Sequence, residues 1–132
     1  MKFFMLVTLL FPTALLANCD FFYDSIKLCG ELTWTSEVKP GKAATFDLKF
    51  FEKTDAKKVA IDPNKKLNIY SWMKMDNGQH HGGPGLVVHQ NQNVWKVEKA
   101  RFFGGMSGSW WVRVEVKDGD KVLEMKEYPV KF

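Results

Sequence analysis

The sequence predicts an all-β protein: an antiparallel, immunoglobulin-like β-sandwich of about seven strands. Three observations carry that expectation. Several runs alternate apolar and polar residues with period two, as half-buried strands do. Turn signals separate these runs, among them Pro40 with Gly41 and Asp118 with Gly119. No window sustains the periodicity of an amphipathic helix, and the chain holds no internal repeat or low-complexity tract.

The chain begins with a segment that stands outside this pattern. Lys2 supplies a positive start, residues 3–16 are almost wholly apolar, and Ala17 is a small residue at a cleavage position. Residues 1–17 therefore read as a secretory signal peptide, too short in its apolar run to span a bilayer. Residues 18–132 are expected to form one exported domain, periplasmic or secreted, with no transmembrane segment. Roughly 115 residues suffice to bury a core.

Cys19 and Cys29, both near the start of that domain, read first as a disulfide in an oxidising compartment. Two alternatives stay open. Residues 16–19 resemble a lipobox that would attach lipid to Cys19, although Asn18 is larger than expected there, and the thiols are also potential metal ligands.

Further along, residues 30–36 alternate with Leu32 and Trp34 inward, and residues 45–51 with Phe46, Leu48 and Phe50 inward. Residues 53–66 form a charged connection with one short strand expected at 59–61. Residues 67–75 form the next strand, with Leu67, Ile69, Ser71, Met73 and Met75 on one face. Four glycines and a proline in residues 76–85 mark a loop around His80 and His81. Short strands follow at residues 86–89 and 94–103. Glycine returns in the turn at 104–109, and a hairpin closes the chain. In its first strand Trp110, Val112, Val114 and Val116 face inward and Trp111, Arg113, Glu115 and Lys117 outward.

Composition excludes several function classes. Nineteen basic against fifteen acidic residues give a net charge of +4, and the charges are interspersed, so no nucleic-acid stripe exists. There is no Gly-x-Ser-x-Gly, phosphate loop or dinucleotide fingerprint, and no histidine lies near a recognisable nucleophile; an enzyme is not expected.

One chemical pattern remains. All three histidines and three of the six methionines fall between Trp72 and Trp111. Thioether sulfur is a soft donor and imidazole suits copper; together they favour copper, with Cu(I) preferred and Cu(II) also accommodated. Thioethers need no deprotonation and survive where thiols oxidise. Met73, Met75, His80, His81 and Met106 are the candidate metal ligands, with His89 an outlying sixth. Trp111, facing outward beside the Met106 turn, is a candidate shield for bound metal. Plainer uses compete: inward methionines fill cores, and a histidine pair in a glycine-rich loop can simply be solvated.

The order Met73-x-Met75, then His80-His81-Gly82, then Phe102-Phe103-Gly104-Gly105-Met106-Ser107-Gly108-Ser109-Trp110 leading into alternating valines resembles the YtkA-like and FixH-like families. The resemblance spans residues 67–117. It implies an exported β-sandwich concerned with copper handling, with Met73, Met75, His80 or His81, and Met106 at the metal. This chain differs in having Ser107 where that pattern has proline, an added glycine before Met106, and no membrane anchor. The last difference points to a diffusing copper carrier, buffer or metallochaperone that meets a copper-donating or copper-accepting envelope protein. The alternative is a non-metal binding module contacting an envelope protein through its glycine-rich loops.

Overall fold

The computed structural model describes residues 19–104 and 108–132; the leader expected at 1–17 lies outside them. The described residues form nine strands and no helix: β1 (Phe21–Tyr23), β2 (Leu28–Trp34), β3 (Ala44–Phe51), β4 (Lys66–Met75), β5 (His80–Gly82), β6 (Val87–Asn91), β7 (Val94–Ala100), β8 (Gly108–Asp118) and β9 (Lys121–Pro129). Five strands form one sheet in the order β1-β2-β3-β7-β6, and four form the other in the order β5-β4-β8-β9. Every strand pair is antiparallel. The architecture is the sandwich that the alternation predicts.

Alternation decides which face each strand buries. In β3, Phe46, Leu48 and Phe50 are completely buried, and in β8 Val112, Val114 and Val116 are too. Ile69, Ser71 and Met73 of β4 are buried beside them, as are Trp95 and Val97 of β7. Each such aliphatic or aromatic side chain contributes roughly 1.5–3 kcal/mol by leaving water. The core is therefore the space between the inner faces of β3–β7 and β4–β8.

The strand expected at residues 59–61 does not form. The Asp55 carboxylate accepts hydrogen bonds from the amides of Lys57 (2.9 Å) and Val59 (3.0 Å), and the Asp55 carbonyl accepts from Lys58 (3.1 Å). These local bonds compete with a ladder and win, leaving one backbone bond to β3, from Ile61 N–H to the Phe50 carbonyl. Two strands are present that alternation did not reveal, β1 and β5. Each has three residues, too few to display a period.

β1 and β9 close one side of the sandwich. The Tyr23 and Tyr128 hydroxyls are 2.9 Å apart and buried, and Phe21 packs edge-on against the Tyr128 ring at 4.7 Å. The Glu124 carboxylate accepts from the Ser25 amide (2.9 Å), the Ser25 hydroxyl (2.7 Å) and the Asp24 amide (3.3 Å). Burial alone would raise the Glu124 carboxyl. The bonds from Ser25 and Asp24, helped by Lys126, outweigh burial and hold it below the usual range. Gly30 of β2 lies under the tyrosine pair. A Cβ there would sit 2.5 Å from a Tyr23 ring carbon and 2.6 Å from the Tyr128 hydroxyl, so only glycine admits both rings.

A disulfide joins Cys19 to Cys29, with Cα atoms 5.6 Å apart, and no free cysteine remains among the described residues. The bridge uses the Cys19 sulfur that a lipid would need, and leaves neither sulfur as a thiolate for metal. Its separation of 10 residues corresponds to about 2.5–3 kcal/mol on the chain-entropy model. A Cys19→Ala/Cys29→Ala variant is expected to lose about that much in urea denaturation, with an m-value equal to or slightly above that of the wild type, because the unbridged denatured chain is less compact.

Burial pushes both phenols of the tyrosine pair above the ordinary range. Groups raised in this way stabilise the fold fully below the unfolded-chain value near 10, and that contribution is lost as pH climbs toward the folded values. Stability measured in urea should fall above pH 10 by up to about 1.4 kcal/mol per pH unit for each phenol. Tyr23→Phe/Tyr128→Phe should remove this part of the fall. At pH 7 the double variant should be more stable than Tyr128→Phe alone, which strands one buried hydroxyl at a cost of about 1–3 kcal/mol.

Candidate metal centre

β4 carries the methionine pair, and its end dictates where the histidines go. Met73 is 1% exposed, while Met75, two residues on, is half-buried against the same core. Beyond Met75 the chain reverses tightly. Gly78 N–H donates to the Met75 carbonyl (3.0 Å), Met75 N–H to the Gln79 carbonyl (2.8 Å), and Gln79 N–H to the Asn77 side chain (2.9 Å). The expected loop is thus a hairpin, and β5 runs back along β4.

The register pairs Trp72 with Gly82, Met73 with His81 and Lys74 with His80. Opposed residues share a face of a sheet. His81 therefore lies on the face of Met73 and Met75, exposed because β5 is an edge strand. His80 lies on the other face. The two histidines, adjacent in sequence and expected together, are divided by the pleat.

His80 has a partner on its own side. Trp72 Nε1–H donates to His80 Nδ1 at 3.1 Å, with the rings edge to face at 5.9 Å. A neutral imidazole that accepts at Nδ1 carries its proton on Nε2, so neither nitrogen offers a free lone pair while that bond lasts. His81 makes no such commitment.

The remaining candidates are placed as follows. Met106 falls in residues 105–107, outside the described residues. Gly108, two positions later, is the register partner of Met75. A Cβ at 108 would sit 2.4 Å from the Lys74 carbonyl oxygen, so β8 begins flush against the end of β4. His89 belongs to β6 in the other sheet, exposed, its Nε2 3.9 Å from Glu98 Oε2.

Trp111 faces outward, as the alternation predicts, which puts it across the sheet from Met73 and Met75. Its ring is covered instead by Lys74, whose Nζ stands 4.6 Å from the centroid. Arg113 covers Trp72 in the same manner at 4.2 Å, and Glu127 pairs with both Lys74 (2.5 Å) and Arg113 (3.4 Å). The indole adjoining the methionines is Trp110, the register partner of Met73, 6% exposed, with Nε1–H donating to the Phe103 carbonyl at 3.0 Å. Alternation marked Trp110 as core; only the cross-strand register reveals it as the neighbour of Met73.

The donors on one face are Met73, Met75 and His81. Among the described residues no three His, Cys, Asp or Glu side chains gather as a metal site, so any metal held here would depend on thioether sulfur. Such a donor set suits Cu(I) and is poor for zinc. A cleft of about 420 Å³ at the β1–β9 side, walled by Phe21, Leu32, Trp34 and Tyr128, includes none of these donors.

No family model, curated protein or solved structure matches the chain.

The Trp72–His80 bond is open to direct measurement. In a ¹H–¹⁵N spectrum the Trp72 indole N–H resonance should move upfield in His80→Ala and stay in place in His81→Ala.

Proposed function

We propose that this is an exported copper-binding protein, a carrier or buffer, that holds Cu(I) as cargo at the end of β4. The observation that carries the reading is the register of β4. Met73 stands opposite His81, and Met75 stands opposite Gly108, two residues from Met106. Two thioethers and an imidazole thus share one face, and a third thioether is tethered close by in the chain. The resemblance to YtkA-like and FixH-like sequences supports the same residues, as does the disulfide, a bond at home in an oxidising compartment.

Within this reading the roles differ. Met75 and His81, nearer the rim, are the entry ligands, and Met73 lies beneath them. His80 is held away by Trp72 and is not a ligand. Trp110 screens the inner side of the site from water. A neutral thioether-rich set binds more weakly than a thiolate cluster, which suits transfer to a copper-accepting envelope protein. The near-complete burial of Met73 favours the alternative of a non-metal binding module, in which that side chain is core filling.

Anaerobic Cu(I) titration against a competing chelator separates the two. Wild type is expected to bind one Cu(I). Met75→Ala, His81→Ala and Met106→Ala should each lose at least the roughly tenfold in affinity that removal of an outer-shell partner costs, and His80→Ala should not. Met73→Leu, which removes sulfur while conserving volume, should also weaken binding. Met73→Ala is unsuitable, because a cavity there costs about 2–5 kcal/mol. Failure of the wild type to compete for Cu(I) would sink the proposal.

A further inference from the structure

Several half-buried rings of this protein are covered by its own cations. Lys53 stands 5.3 Å from the Phe22 centroid, Lys74 4.6 Å from Trp111, and Arg113 4.2 Å from Trp72. The cleft of about 420 Å³ at the β1–β9 side departs from this arrangement. Phe21, Trp34 and Tyr128 all line it, yet among the described residues no lysine or arginine stands over any of the three rings. Phe21 and Tyr128 meet at 85° and form a corner, while Trp34 is held in place by edge contacts with Phe46 (5.0 Å) and Phe102 (5.8 Å).

The same cleft holds one charge of each sign. Asp20, just before β1 in one sheet, and Lys131, just after β9 in the other, are exposed and line it. Among the described residues neither forms an ion pair, with the other or with any further group. Asp20 is nonetheless fixed in place. Its neighbour Cys19 is tied to Cys29, and its Oδ2 accepts from the Leu32 amide at 3.3 Å. That bond occupies the β2 amide that an added strand would need, which disfavours an extended peptide as the occupant.

We propose that this cleft binds a small soluble zwitterion that carries a trimethylammonium group and an anionic group. Three aromatic side chains around a position that no internal cation fills form the kind of cage that takes a quaternary ammonium. An alkylated nitrogen has no N–H to donate, so ring faces serve it where hydrogen-bond acceptors would not. The Asp20 carboxylate supplies its counter-charge, and its reach extends to the cage, because the same charge adds to the rise of the Tyr128 phenol. The Lys131 ammonium answers the ligand's carboxylate or phosphate. A ligand with one charge alone would leave either Asp20 or Lys131 without a partner. The cleft also falls within the roughly 300–1,000 Å³ usual for small-ligand sites. The proposal is independent of the copper reading, since it uses none of the same residues.

Calorimetric titration with glycine betaine and with phosphocholine tests it, and the tighter of the two identifies the anionic group. Choline should bind more weakly than that zwitterion, and its uncharged isostere, with carbon in place of nitrogen, about tenfold more weakly again. Asp20→Asn, which keeps an oxygen for the Leu32 amide, should weaken choline and the zwitterion alike by about tenfold. Lys131→Gln should weaken the zwitterion and leave choline unchanged, a split that a merely structural role would not produce. No saturable binding of either zwitterion, equal affinity for choline and its isostere, or undiminished affinity in Asp20→Asn would each overturn the proposal. Sedimentation of the protein with phosphatidylcholine vesicles would overturn its assignment to a free solute.

Discussion

The pairing of β4 with β8 is the constraint on which the rest of the molecule depends. It runs without interruption through ten residue pairs, from Lys66 opposite Lys117 to Met75 opposite Gly108. Side chains alternate between faces along both strands, so this one register assigns every residue in them a side. A slip of one position would send Met73, Ser71 and Ile69 to solvent and draw Lys74 and Tyr70 into the core. Burial of Trp110, Val112 and Val114 opposite them makes that slip prohibitive.

The same register also separates two chemistries that the sequence interleaves. Thioethers and His81 take the inner face. The outer face receives Lys74, Arg113 and Glu127 with Trp72 and Trp111, each indole under a cation. Cation and ring faces satisfy each other there, and Glu127 neutralises part of the charge. Positive groups close in sequence to Met73 and Met75 are thereby kept across the sheet from the two thioethers and His81.

Much of this was legible beforehand. Alternation alone marked Phe46, Leu48, Phe50 and the valines of β8 as core, because period two is a property of single strands. It also placed Met73 and Met75 on one face. What it did not reveal was pairing between strands. His80 and His81 read as a loop because glycine and proline dominate their surroundings, yet three residues sufficed for β5 to pair. Pairing then gave the two histidines different environments, and it made Trp110 rather than Trp111 the neighbour of Met73. The failure at residues 59–61 has a local cause, the carboxylate of Asp55. A valine, an alanine and an isoleucine read as a strand until that oxygen claims the Val59 amide.

The Tyr23–Tyr128 contact has a kinetic consequence. Its partners are 105 residues apart, so the first strand of the domain waits on the last. Contacts this distant in sequence slow folding, because the loop-closure entropy must be met before they form. Until β9 docks, the site of the tyrosine pair stays open to solvent above Gly30. For that interval the Cys19–Cys29 bridge is the one covalent restraint on the first hairpin among the described residues. Loss of the final few residues would therefore leave the main core between the sheets in place but uncover Tyr23 and Gly30 at the β1–β9 side.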